Sequence, residues 1–366
     1  MFVPLSFFNQ PYIVFTKVAV FVFLLNGFLG TLYAQNKGLK EFSDFPIGNS
    51  LALHKLKRDR KMREIILQEF NSITSGNDMK MYRMLNADGS FYWKRADALV
   101  AFAEKHQLRL FGHTLVWHSG TPQWVHKKVK DNPMWLASFL ENYITNYVTR
   151  YKGKVAGWDV VNEAMNTQGG ELRETIWYDT LGEDYIAMAF HAAHKADPEA
   201  DLFINDFNTE RDTLKLNGLL NLVKRLREKQ VPISGIGFQM HLRMDIPDSL
   251  IVKTLKKAAA TGLKIHLSEV DLIFNKHNDE KFGGIQLYNQ LTPQMKEDQA
   301  DKYQRLVDIY QAVVPKAQQY GITFWGFNDR DTWIRPFFKL LDWPTIFDEA
   351  LEPKPAYFGF KKGLMN

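Results

Sequence analysis

Short apolar runs rich in Val, Ile, Leu and Phe alternate along this chain with longer stretches whose apolar residues recur at i, i+3 and i+4. The short runs read as buried strands and the longer stretches as amphipathic helices. Strands are predicted at 45–48, 71–74, 108–115, 158–161, 201–205, 235–240, 263–269 and 322–325. Helices are predicted over 56–70, 91–106, 132–151, 182–196, 212–230, 248–260, 299–320 and 353–364. Asn132-Pro133 marks one helix start, and Gly262 and Gly321 fall where helices should stop. Strands alternating with helices in a chain of 366 residues predict an α/β fold, a single (β/α)8 TIM barrel over 45–366. A doubly wound open sheet is the alternative, but no Gly-rich phosphate loop follows the first strand.

The same pattern leaves polar residues at the ends of the apolar runs. Trp158-Asp159-Val160-Val161 stops on Asn162-Glu163, side chains that a buried strand would keep out of a core. On this segment alone, Glu163 reads equally well as a solvated loop acid. A second run, Leu263-Lys264-Ile265-His266-Leu267-Ser268, stops on Glu269. Barrels carry their chemistry at the C-terminal ends of their strands. Two carboxylates delivered by two strand ends are what glycoside hydrolysis needs: one to give a proton, one to attack or to activate water.

Composition narrows the partners. Nine Trp and fourteen Tyr suit a flat ligand such as a sugar ring, although aromatic residues also build cores. The net charge of +5, from scattered Lys and Arg, is too weak a signal for nucleic acid. With no Cys, disulfides, a thiol nucleophile and cysteine-zinc sites are excluded. His191 and His194 stand three apart on a predicted helix, but without a third ligand nearby they do not make a metal site. No cofactor or metal is expected. At the N-terminus, Lys17 precedes an apolar run over 18–29 and a small-residue site ending at Ala34. This pattern predicts a signal peptide over 1–34, a linker over 35–44, and a secreted or periplasmic enzyme with no stable membrane insertion after cleavage. An uncleaved anchor is the competing reading, although the run is shorter than the ~20 residues a span needs.

Eight motifs in order carry a closer resemblance. They are Asn77-Asp78-Met79-Lys80, Gly112-His113-Thr114-Leu115-Val116-Trp117-His118, Trp158 to Ala164, Asn205-Asp206-Phe207-Asn208, Gly235 to Leu242, Ser268-Glu269-Val270-Asp271, Trp325-Gly326 and Pro353 to Tyr357. From about residue 45 to the C-terminus, the chain resembles family 10 glycoside hydrolases, which are mostly retaining endo-β-1,4-xylanases acting on xylan. The resemblance implies that Glu163 is the acid/base and Glu269 the nucleophile. His241 and Asp271 match a network around the nucleophile, and Asn162 a residue that bonds the 2-hydroxyl of the reacting sugar. Asn77, Lys80, His113 and Gln239 match polar residues around that sugar and its neighbour. Trp117, Trp325 and Trp333 match aromatic walls.

The assigned roles make physical sense. A nucleophile must stay ionised, which donors and a cationic partner favour, whereas an acid must hold its proton until the leaving group needs it. His118 is expected to support the His113 loop, and Asp206 and Asn208 to lie behind the site. Three positions depart from the family: Gly76 where it has Glu, Gly120 where it has Gln, and Phe207 where it has Tyr. The two glycines should weaken the grip on the second sugar of the retained half. A decorated xylan, another β-glycan and a non-catalytic carbohydrate binder are therefore the alternatives to plain xylan hydrolysis.

Overall fold

The computed structural model describes residue 1 and residues 37–279 and 283–366. Its centre is eight parallel strands: β1 (Ile47–Leu51), β2 (Ser72–Ser75), β3 (Arg109–Trp117), β4 (Gly157–Asn162), β5 (Asp201–Asp206), β6 (Gly235–Phe238), β7 (Lys264–Ile273) and β8 (Gln319–Phe324). Each pairs with the next, and β8 pairs with both β7 and β1, so the sheet closes on itself. Helices fill the connections and cover the outside. The (β/α)8 TIM barrel expected from the pattern is the fold observed.

The differences lie at the element ends. The helix expected over 56–70 is two helices, Leu53–Arg58 and Arg60–Glu69, because the Asp59 carboxylate accepts from the Met62 N–H at 3.0 Å and starts a new helix. The helix expected over 299–320 runs instead over Pro293–Val313. Pro315 follows two residues later and cannot continue it, and β8 begins at Gln319. Four further helices, Met81–Met84, Gln123–Asp131, Ile176–Leu181 and Ile334–Phe338, form in stretches given no element above. Part of the expected linker carries structure. Leu39–Phe42 form a 3-10 turn with Leu39 buried, and the Leu39 N–H donates to Glu69 Oε2 at 2.9 Å. The expected leader lies, apart from Met1, outside the described residues. No described helix is long and apolar enough to cross a membrane.

The barrel interior changes character from one end to the other. Near the strand starts, Phe111, Phe203, His266 and Tyr320 pack edge to face or tilted, with centroids 4.4–6.1 Å apart. Close approach here requires glycine: a Cβ on Gly112 would lie 2.1 Å from the Trp158 ring, and one on Gly235 2.1 Å from Phe203. Near the strand ends, the interior holds His113, Asn162, Asn205, Gln239 and Glu269 instead.

Register shifts make that polar layer possible. Side chains alternate along a regular strand, so Ser268 and Glu269 should face opposite ways. Both reach Asn205, however, with Ser268 Oγ donating at 2.7 Å and Glu269 accepting at 2.8 Å. Between Leu267 and Val270, β7 spends three residues against two on β8, and this bulge turns both inward. β4 gains a residue against β5 between Asp159 and Val161, so Asp159 and Asn162 both face the site.

Candidate active site

The eleven residues singled out above as catalytic or substrate-binding line a single cleft of about 780 Å³ at the C-terminal face of the barrel. Asp271 lies just beneath it, fully buried.

Glu269 is buried on β7, and its partners come from two other strand ends. Asn205 Nδ2 donates to its Oε1 at 2.8 Å, and His241 Nε2 lies 3.4 Å from its Oε2. The other ring nitrogen of His241 bonds Asp271 Oδ2 at 3.0 Å. Burial alone would strip the proton from His241, but the charge and hydrogen bond of Asp271, with Glu269 adding to both, raise its pKa to about 10. The imidazole is thus a cation at neutral pH. Burial pushes Glu269 upward in turn, yet the His241 bond, with the charges of His113, His241 and Lys80, outweighs it and holds the carboxyl below its usual range. Trp333 Nε1 donates to the same Asp271 oxygen at 2.8 Å, and its ring lies 4.8 Å from that of His241. The tryptophan therefore acts both as a wall and as a brace.

Glu163 follows the end of β4 in a left-handed conformation, φ +57°, that L-residues rarely adopt. Asn208 and Met240, just past β5 and β6, share it with φ +61° and +56°. The strained turn is held by the Glu163 N–H to Asn205 O at 2.8 Å and by Arg173 Nε to Glu163 O at 3.2 Å. Its carboxylate has longer contacts, from Asn162 Nδ2 at 3.4 Å and Gln239 Nε2 at 3.3 Å. The side chain keeps 16% of its surface exposed.

Three amides connect the carboxylates. Asn205 Nδ2 is shared between Glu269 and Asn162 Oδ1, which also receives Gln239 Nε2 at 3.3 Å. Across the cleft, Lys80 is buried with Nζ 4.5 Å from the Trp117 ring centroid and 5.6 Å from that of Trp325. Burial lowers its proton affinity, and Glu269 and Glu163 counter this. His113 bonds Asp159 at 2.8 Å and packs edge-on to Trp325 at 5.1 Å. Burial raises Asp159 to about 6 against the pull of that bond. Asn77 accepts from the Tyr82 hydroxyl at 3.0 Å.

Four placements were not foreseen. Asn205 is not among the site residues expected above, yet among the described residues it is the one side chain bonded to both Asn162 and Glu269. The available signal was a bare amide directly after Leu202-Phe203-Ile204, the same apolar-to-amide step that drew attention to Asn162. His118, expected to support the His113 loop, lines the cleft itself, with Nε2 4.0 Å from Glu163 Oε2. Burial lowers its pKa to about 4, so it is neutral. Asn208 lines the cleft rather than lying behind it. Of the two departing glycines, Gly76 lines the cleft, whereas Gly120 is buried where a Cβ would sit 3.1 Å from the Trp117 ring. Among the described residues, no group of three His, Cys, Asp or Glu could hold a metal ion.

Residues 38–362 match the model of glycosyl hydrolase family 10. Endo-1,4-beta-xylanase B of Thermotoga neapolitana is 37% identical over 303 residues, covering 82% of this chain and 83% of that protein. Endo-1,4-beta-xylanase C of Paenibacillus barcinonensis is 36% identical over 335 residues, 86% of this chain but 30% of the longer relative. Among solved structures, a mutant of xylanase A from P fluorescens subsp. cellulosa in complex with xylopentaose superposes with a TM-score of 0.82 at 34% identity, covering 90% of this chain and all of that one.

Proposed function

Because this chain belongs to glycosyl hydrolase family 10, we propose that it cleaves β-1,4-xylosidic bonds within xylan by double displacement, with Glu163 as acid/base and Glu269 as nucleophile. The observation that carries this reading is the contrast between the two carboxylates: one buried and charge-compensated, the other partly exposed and loosely held.

In the first step, a Glu269 oxygen attacks the anomeric carbon while protonated Glu163 gives its proton to the glycosidic oxygen. The carbon–oxygen bond breaks, the leaving half departs, and a glycosyl ester on Glu269 remains. In the second step, Glu163 takes a proton from a water that attacks the same carbon. The ester breaks and Glu269 returns as carboxylate. His241, held charged by Asp271, keeps the nucleophile ionised between turnovers. Asn162, oriented by Asn205 and Gln239, is placed to bond the 2-hydroxyl of the reacting sugar as charge develops beside it. Trp117, Trp325 and Trp333 give flat walls to the sugar rings, and Asn77 and Lys80 supply polar contacts on the retained side.

The leader pattern supports export, with cleavage after Ala34. N-terminal sequencing of the cell-free enzyme should begin at Gln35, and a protein starting at Met1 and bound to membranes would refute it. Reducing-sugar release from unbranched xylan, with proton NMR of the first product, tests the activity. The β-anomer should appear before mutarotation. No sugar release, or an α-anomer formed first, would overturn the reading.

A further inference from the structure

Beside the cleft lies a second cavity of about 470 Å³, sharing Thr167, Asn208, His277 and Asp279 with it, and completed by Gln168 and Arg211 among others. Apart from Leu214, its lining is polar. Its walls come from the loops after β4, β5 and β7, and Asp279 joins two of them. Arg211 Nη2 and Asn208 Nδ2 donate to Asp279 Oδ2 at 2.5 and 2.9 Å, and His277 Nε2 lies 3.2 Å from Oδ1. The alcove is thus held open by bonds between loops, not filled by a side chain.

Its position and charge define an occupant. An acid must stand on the side of the departing oxygen, so the leaving half of a substrate lies toward the loop that follows Glu163. Thr167 and Gln168 belong to that loop. The alcove's Arg211 is already paired with Asp279. A second carboxylate, Asp212, accepts from the N–H groups of Gly169, Leu214 and Lys215. Arg211 and His277 both face Asp279, and Asp212 adds a second carboxylate, so an added anion is disfavoured. Carboxylate and amide groups around an open polar cavity suit neutral hydroxyls.

Resting on the xylan reading above, we propose that this alcove receives a neutral sugar branch carried by the leaving half of the xylan chain, and that it sets the preference for branched substrate. Leu214, exposed at the alcove's edge, and Gln168, exposed on the opposite loop, are points from which a large ring would fill it. The test compares wild type, Leu214→Trp and Gln168→Trp on linear xylo-oligosaccharides, arabinosyl-branched xylan and glucuronosyl-branched xylan, with melting curves to confirm folding. The ratio of kcat/KM on arabinosyl-branched to linear substrate should fall at least ~5-fold in either folded variant, the loss of about one hydrogen bond's worth of binding. The glucuronosyl ratio should stay within twofold. An arabinosyl ratio unchanged in both variants, or an equal fall on the glucuronosyl substrate, overturns the alcove assignment in an otherwise active enzyme. Wild type inactive on linear substrate would instead overturn the xylan reading, and the alcove with it.

Discussion

Glu269 and Glu163 occupy the same cleft but are built in opposite ways. Glu269 lies within a ten-residue strand, turned inward by a bulge, buried, and met by an amide and an imidazolium. Glu163 lies one residue beyond a six-residue strand, in a strained turn, partly open to solvent and contacted only at 3.3–3.4 Å. The first arrangement fixes a charge in place. The second leaves a carboxylate loosely held and partly open to water. The carboxyl groups are the same chemically, and on the proposed reading their surroundings divide the labour between them.

The largest effects should come from removing each carboxylate. Glu269→Ala should lower turnover by roughly 10⁵-fold or more on every substrate, since no glycosyl ester can form. Glu163→Ala should cost roughly 10²–10⁴-fold on xylan, but spare the first step for dinitrophenyl glycosides, whose leaving group needs no proton. Added azide should speed release of that intermediate in the Glu163 variant alone. Identical behaviour of the two variants on dinitrophenyl substrates would erase the contrast.

Next comes the amide that links the pair. Asn205→Ala strips a donor from Glu269 and from Asn162 at once. Losing one hydrogen bond to a charged group costs about 1.5–3 kcal/mol, so kcat/KM should fall roughly 10- to 150-fold. A loss below threefold in a folded variant would remove Asn205 from the site's construction.

The imidazolium gives a pH test. His241 binds its proton more tightly than its ordinary 6.5, so its stabilisation is complete below that pH and fades as pH rises through about 10. Glu269 is shifted the other way, and its contribution is present above 4.5 and lost as pH falls. His241→Gln removes the cation, so Glu269 should ionise only at higher pH. The acid limb of kcat/KM should move toward neutrality. An unmoved limb would mean that His241 does not govern the nucleophile's charge.

The smallest effects belong to the glycines. Gly76→Glu should raise activity on xylotriose relative to decorated xylan by about 2- to 10-fold, one hydrogen bond's worth. Gly120→Gln should act instead by pushing Trp117, and so shift both substrates together. If the two variants behave alike, the placement of Gly120 beneath Trp117 has no functional meaning.

Much of this was legible in the sequence because barrels write their order plainly. Each β-branched run marks a strand, and each polar residue that stops a run marks the working face. What stayed hidden depends on contacts between strands. Bulges in β4 and β7 decide that Asn162 and Glu269 face inward, and nothing local in Val160-Val161 or Ser268 encodes them. Asn205 looked like one polar strand end among several, since its importance comes from partners 43 and 64 residues away. The break at Asp59 and the stop at Pro315 were readable from capping and proline chemistry, but helical spacing outweighed both.

The division of labour is tested most directly by trapping the intermediate. The enzyme is treated with a dinitrophenyl 2-fluoro-xylobioside, digested, and its peptides are sequenced by mass spectrometry. One fluoroglycosyl ester is expected, on Glu269, with Glu163 unmodified. An ester on Glu163, or an active enzyme that is never labelled, would contradict it.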